Sequence, residues 1–262
     1  MNRSPNSPFW ISLAVIAGGY LLFILAILAA TAVYSRPSDL FAALASKEIR
    51  YSVFLSFTTC TVTALLSLLV AVPAGYLLSR REIPGKSLIE AALDIPIVLP
   101  PMVMGLCLLI FFQTTIGNQI ERVIPFTYTV FGVVLAQFVI GAAFAIRTMR
   151  GTFEHLSARP EQVALTLGCS EFQAFWHIAL PSARRGMLAA ATVAWARSLS
   201  EFGPILVFAG ATRMKTEVLP TTVWLELSAG NLEAAVAVSL LLVGAAFAVL
   251  ALVRKFGLTF AA

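Results

Sequence analysis

Residues 159–181 read RPEQVALTLGCSEFQAFWHIALP, the longest polar-flanked interval in an otherwise very apolar chain. The spacing predicts two short helices joined at a glycine. Pro160 suits a first helical position, where its missing N–H costs nothing, and Glu161 then sits at the positive end of the helix dipole. Gly168 is where such a helix stops, in the left-handed conformation that glycine alone takes cheaply. Ser170 and Gln173 form an S-x-x-Q capping box, so a second helix starts at once. Phe172, Phe175 and Trp176 are expected on one face of it, and Pro181 is expected to end it. A short, bulky, apolar knob between apolar runs is the kind of feature that docks into another protein.

The rest of the chain fits a membrane setting. It has 262 residues, of which 59% are hydrophobic and 12% charged, with a mean hydropathy of +0.90. Soluble domains are nearer half apolar and a quarter charged. The composition therefore predicts an all-α polytopic membrane protein, a single transmembrane domain over 1–262. Uncharged or nearly uncharged runs at 10–33, 53–78, 88–112, 129–146, 186–209 and 234–253 predict six transmembrane helices, each long enough to cross a hydrocarbon core of about 30 Å. The second run is expected to end around Pro73 and Gly75. Ala30-Thr31-Ala32 resembles a cleavage site, but the first run is too long for a signal-peptide core and reads as a retained anchor.

Net charge is +5. Arg3, Arg80, Arg81, Lys86, Arg147, Arg150, Arg159, Arg184, Arg185, Arg254 and Lys255 lie on the side that holds the N-terminus, against Arg36, Lys47, Arg50, Arg122, Arg213 and Lys215 opposite. The positive-inside rule puts both termini and the 159–181 knob in the cytoplasm. No basic stripe interleaved with aromatics accompanies the charge, so nucleic acid is not expected as a partner. Cys60, Cys107 and Cys169 have no metal-ligand spacing and read as small hydrophobes. His155 and His177 are too far apart for a helix-borne metal pair, and no P-loop or nucleophile elbow is present. Neither a metal nor a cofactor is expected on this chain.

Two polar clusters fall inside apolar runs. Arg197 and Glu201 are four apart in AWARSLSEFGPILVFAG and share a helix face with Ser200 nearby. Charges at that depth normally face the bundle interior and mark pathways or gates. The pair reads either as a gate or anion contact on a translocation path, or as a structural ion pair locking two helices. Gly203-Pro204, which should break the helix, favours the first. Glu90 and Asp94 are also four apart, in EAALDIPIVLPPMVMG. Pro96 and Pro100-Pro101 predict two half-helices around a bend, either a packing kink or a lining of the path with Asp94 as a candidate. Asp94 as a catalytic acid is disfavoured, because no second acid or histidine lies near it in sequence.

At 159–181 the pattern resembles the cytoplasmic signature of ABC importer permeases: E-A-A, three residues, Gly, nine residues, Ile, one residue, Leu-Pro. Gly168, Ile178, Leu180 and Pro181 fall at the required spacing, and Ala164 fills the last position of the E-A-A. Gln162 stands for the family's Glu and Val163 for its first Ala, while Glu161 keeps a carboxylate in that turn. The resemblance implies a type I importer permease fold with cytoplasmic coupling helices, about 160–180, between the fourth and fifth spans. Those helices would sit in a groove on a separate ATPase subunit, through Glu161, Gln162, Ala164, Gly168, Phe172, Phe175, Ile178, Leu180 and Pro181. It also implies two copies of this chain, two ABC ATPase subunits that hold ATP and Mg2+, an external binding protein, and residence in a bacterial or archaeal cytoplasmic membrane.

Three stretches, DIPIVLPPMVMG at 94–105, ARSLSEFGPILVFAG at 196–210 and 216–242, are similar to permeases for tetrahedral oxyanions, chiefly molybdate and tungstate. Sulfate and thiosulfate permeases share the general pattern and remain an alternative. A self-contained ion-coupled transporter is a second alternative, but it leaves the knob unexplained. An intramembrane enzyme would have to rest on Arg197 and Glu201 alone.

Overall fold

A computed structural model of the chain describes residues 8–255. The polar leader with Arg3, and the residues after Lys255, lie outside the described residues. All regular structure within them is helical: α1 (Pro8–Tyr34), α2 (Pro37–Ala45), α3 (Lys47–Arg80), α4 (Lys86–Val98), α5 (Pro101–Gln113), α6 (Thr115–Val123), α7 (Val130–His155), α8 (Arg159–Thr166), α9 (Glu171–Ala174), α10 (Leu180–Ser182), α11 (Arg184–Ser200), α12 (Leu219–Ser228) and α13 (Leu232–Lys255). Two π-helical turns, Phe175–Ala179 and Ile205–Ala209, interrupt the series.

The centre is formed by α3 and α7, with α11 packed against both. Their interface is made of small residues. Ala64, Ala71, Ala145, Ala190 and Ala194 are buried together with Met149 and Phe153. A Cβ on Gly75 would stand 2.8 Å from the Arg150 backbone nitrogen, so α3 and α7 touch backbone to backbone there. Without a hydrophobic drive between helices in lipid, such close approach and buried polar contacts supply the cohesion. Thr63 donates to Gln137 Oε1 at 3.2 Å, and Gln137 Nε2 donates to the Ser198 carbonyl at 3.2 Å, which ties all three helices. Side-chain caps start the long elements: Ser46 accepts from the Ile49 amide ahead of α3, and Thr129 accepts from the Gly132 amide ahead of α7.

Several sequence expectations are corrected. The second run does not end at Pro73 and Gly75. α3 runs through Pro73 to Arg80, because Gly75 is used for packing on α7 rather than for a stop. The third run is bent as expected: α4 and α5 meet at 110° around Leu99-Pro100. The fifth run is not one helix. α11 stops at Ser200, the chain is extended at Glu201, and the π turn follows Gly203-Pro204, so the break begins two residues earlier than those residues imply. Among the described residues, α1, α3, α7 and α13 are long and apolar enough to cross a membrane, and the α4–α5 pair raises the number to five if it counts as one span. α11, with 17 residues, stands outside that set.

The 159–181 stretch also differs in one respect. Pro181 does not terminate its helix. The π turn over 175–179 places Leu180 N–H on the Phe175 carbonyl, five residues back, and the chain stays helical through Pro181 to Ser182. A wider turn ahead of a proline relieves the clash its ring would make with the preceding turn.

Candidate functional site

The knob is built as its sequence predicts up to the π turn. Gly168 has φ +92°, and its amide donates to Leu165 O at 3.1 Å while Cys169 N–H donates to Ala164 O at 3.0 Å. Those two bonds are a Schellman stop, which needs the left-handed residue at Gly168. The capping box closes in both directions, Gln173 N–H on Ser170 Oγ at 3.2 Å and Ser170 N–H on Gln173 Oε1 at 2.9 Å.

The base of the knob is a charged clasp. Glu161 is buried. Its Oε1 accepts from Arg80 Nη2 at 2.9 Å and Nε at 3.2 Å, and its Oε2 accepts from Tyr76 Oη at 2.8 Å. Arg80 also donates to the Phe153 and Leu156 carbonyls at 2.8 and 3.0 Å, so one guanidinium holds the end of α7 and the start of α8 together. Next door, Arg81 grips both Glu171 oxygens at 2.6 and 2.7 Å on the exposed side. The last turn of α3 thus fastens both halves of the knob. In the sequence Arg80 reads only as a cytoplasmic cation, and Tyr76 lies without distinction inside the 53–78 run. An arginine at the end of an apolar run, with a lone carboxylate at a helix N-terminus eighty residues on, is the signal that could have paired Arg80 with Glu161.

Away from the clasp the knob is apolar and open. Leu167 is 79%, Phe172 71% and Trp176 53% exposed, and the Phe172 and Trp176 rings stack at 6.2 Å. Phe175 does not share that face: it turns inward, with its ring 4.7 Å from that of Tyr76. Gln162 is exposed, while Ala164 is buried in the first helix and Ile178 and Leu180 are half-buried.

The second candidate lies where the two broken segments meet. A Cβ on Gly203 would stand 3.0 Å from the Met102 backbone nitrogen, and one on Gly105 would stand 2.8 Å from Pro204 Cα. The Pro100-Pro101 bend and the 201–204 break are therefore in direct backbone contact. Beside them is a cavity of about 370 Å³ lined by Pro100, Pro101, Met102, Arg197, Ser200, Glu201, Phe202 and Gly203. Arg197 Nη2 donates to Glu201 Oε1 at 2.5 Å. The carboxylate side chain is 2% exposed and the arginine 36%, so the pair has a buried anion and a cation at the cavity wall. The Phe144 ring lies 5.0 Å from the guanidinium carbon and adds a cation–π contact.

Asp94 is not part of this group. It lines a different cavity, of about 290 Å³, with Glu90, Arg147, Arg150 and Glu154 between α4 and α7. Arg150 bridges Glu90 at 3.1 Å and Glu154 at 2.8 Å there. Arg197, Ser200 and Glu201 come together; Asp94 lines the cavity beside the α4–α7 ion pairs.

The comparisons with known proteins agree with this architecture. The family described as "Binding-protein-dependent transport system inner membrane component" matches residues 67–258. A molybdate/tungstate transport system permease protein of Pyrococcus abyssi is 40% identical over 154 residues, 59% of this chain and 58% of the relative, so the match spans less than two thirds of that protein. A molybdenum transport system permease protein of Mycobacterium tuberculosis is 31% identical over 246 residues, 93% of this chain and 92% of the relative. A chain from the crystal structure of a bacterial alginate ABC transporter, in complex with an alginate pentasaccharide-bound periplasmic protein, superposes with a TM-score of 0.73 over 94% of this chain and 95% of its own, at 13% identity. That likeness concerns the fold.

Proposed function

The chain belongs to the binding-protein-dependent transport system inner membrane component family, and from this premise we propose that it is the permease subunit of an ATP-driven importer carrying molybdate or tungstate into the cytoplasm. It is an integral membrane component of a transport system rather than an enzyme. Relatives named for molybdate, tungstate and molybdenum transport favour that solute class over sulfate.

The observation that carries the reading is the 159–182 unit: a stacked Phe172–Trp176 pair and Leu167 presented outward from a base locked by Glu161 and Arg80. An exposed apolar cluster on a rigid base is what transmits force to a partner's groove, since a floppy one would absorb it. In this reading Gln162, Gly168, Phe172 and Trp176 form or shape the contact with an ABC ATPase subunit. Glu161, Ala164, Phe175, Ile178, Leu180 and Pro181 position it. ATP and Mg2+ are held by that partner, and this chain binds neither. Two copies of the chain would form the pathway, with 1–262 as one permease domain, α11 as the sixth crossing segment and an external binding protein delivering solute. ATP-driven closure of the ATPase pair would rock the α3–α7–α11 body as one piece, and the elbow between α5 and the 201–204 break would open or shut the path. Arg197, Ser200 and Glu201 line that path at the elbow.

The test is gentle extraction of the tagged chain from native membranes, followed by intact-complex mass analysis. Two copies bound to two ATPase subunits are expected, with ATP hydrolysis stimulated by binding protein loaded with molybdate or tungstate. A chain recovered alone, with no ATPase at low salt, would overturn the reading in favour of self-contained transport.

A further inference from the structure

Arg197 has more hydrogen-bonding capacity than its surroundings use. A guanidinium carries five N–H donors in a fixed fork. Here one terminal nitrogen is committed to Glu201, the other makes only a long 3.4 Å contact with Ser200 Oγ, and Nε, though buried, has no hydrogen-bond partner. Arg197 is also the one cation among the described residues lining the elbow cavity. The α4–α7 cavity, by contrast, sets Arg147 and Arg150 among three carboxylates, Glu90, Asp94 and Glu154, and Arg150 is taken up by two of them.

We propose that the elbow cavity is a transient anion subsite, in which Arg197 takes a tetrahedral dianion through its unspent donors and Glu201 limits how long it is held. This rests on the importer reading above and adds a site to it. A fork of N–H groups matches two oxygens of a tetrahedral oxyanion, and the Ser200 hydroxyl at the same wall, which donates to the Arg197 carbonyl at 2.9 Å while the site is empty, has to turn from it to donate a further bond. An isolated arginine in a poorly hydrated cavity would hold a dianion too well for transport, which requires binding strong enough to draw the solute in and weak enough to release it. Glu201 meets that requirement. Its carboxylate competes for the same guanidinium, repels the arriving dianion, and re-pairs with Arg197 when the site empties, so that no charge is left alone at that depth.

The test measures retention of labelled tungstate by the purified permease–ATPase complex, without nucleotide and without binding protein, by equilibrium dialysis. Glu201→Gln keeps the shape of the side chain and removes the competing charge. It is expected to hold one tungstate per chain at least ten-fold more tightly than the wild type. Perrhenate, of the same shape with a single charge, should compete at least ten-fold less well. Adding Arg197→Gln should abolish the gain. Equal retention by wild type and Glu201→Gln, or retention that survives loss of Arg197, would overturn the subsite. Should Glu201→Gln fail to assemble, Arg197→Lys in reconstituted vesicles gives the second measurement. It keeps the charge and loses the fork, so anion delivered per ATP should fall about ten-fold, and an unchanged ratio would overturn the proposal. The importer reading fails separately, by absence of ATP hydrolysis stimulated by loaded binding protein in the wild type.

Discussion

Glu161 and Gln162 are neighbours with opposite placements: the first is buried in the clasp and the second exposed on the knob. The carboxylate that the sequence offers one residue early is the one the fold uses, because only position 161 faces Tyr76 and Arg80. Arg80→Ala leaves Glu161 buried without a cation, a change worth about 3–5 kcal/mol when one partner of a buried pair is lost. Limited proteolysis within 159–182 should accelerate sharply in Arg80→Ala while α3 and α7 stay resistant. At Gly168 the surroundings are empty, so the constraint is conformational rather than steric. Gly168→Val must take φ near +92°, at a cost of at least about 1–2 kcal/mol, and should abolish co-purification of the ATPase while membrane insertion persists. Glu217, in the loop before α12, is fully buried, with neither carboxylate oxygen in a hydrogen bond by geometry. Burial pushes its carboxyl above the ordinary value of 4.5, against opposing help from Thr222 and Arg213. The neutral form is therefore favoured in the folded state, and stability is lost as pH rises through the folded value. Glu217→Gln should raise the melting temperature at pH 7.5, and the gain should vanish below pH 4.5, where wild-type Glu217 is protonated in both states.

Breaks in helices, more than helices, set the geometry here. The α4–α5 bend and the 201–204 break meet because Gly105 and Gly203 let two backbones touch. A side chain at position 105 meets Pro204 backbone that has no rotamer to yield. Gly105→Val should cost about 1–3 kcal/mol by overpacking and separate the elbow. A lowered melting temperature, together with ATP hydrolysis that no longer responds to loaded binding protein, is the expected result. The two π turns follow the same logic. Each lies beside a proline, Pro181 or Pro204, and widens the backbone where a proline has removed a donor.

Across the whole molecule, cohesion is concentrated in α3, α7 and α11, while α1 has no buried residue within the chain and its apolar length faces outward. Deletion of the residues up to and including Tyr34 should leave the α3–α7–α11 body folded, with near-wild-type helicity and little change in its melting in detergent. Part of this architecture follows from local chemistry: apolar runs dictate helices in lipid, and Gly168, Ser170 and Gln173 dictate the joint of the knob. Pro100-Pro101 and Gly203-Pro204 likewise mark where segments bend. Those features depend on backbone propensity and solvation, which are properties of a few consecutive residues. Tertiary structure alone decided which breaks meet, which of Glu161 and Gln162 is buried, that Phe175 turns away from Phe172 and Trp176, and that Asp94 joins Arg150's cavity rather than that of Arg197. Each of those depends on a neighbour more than fifty residues away or on the phase of a helix set by packing, and no local pattern in this chain encodes either.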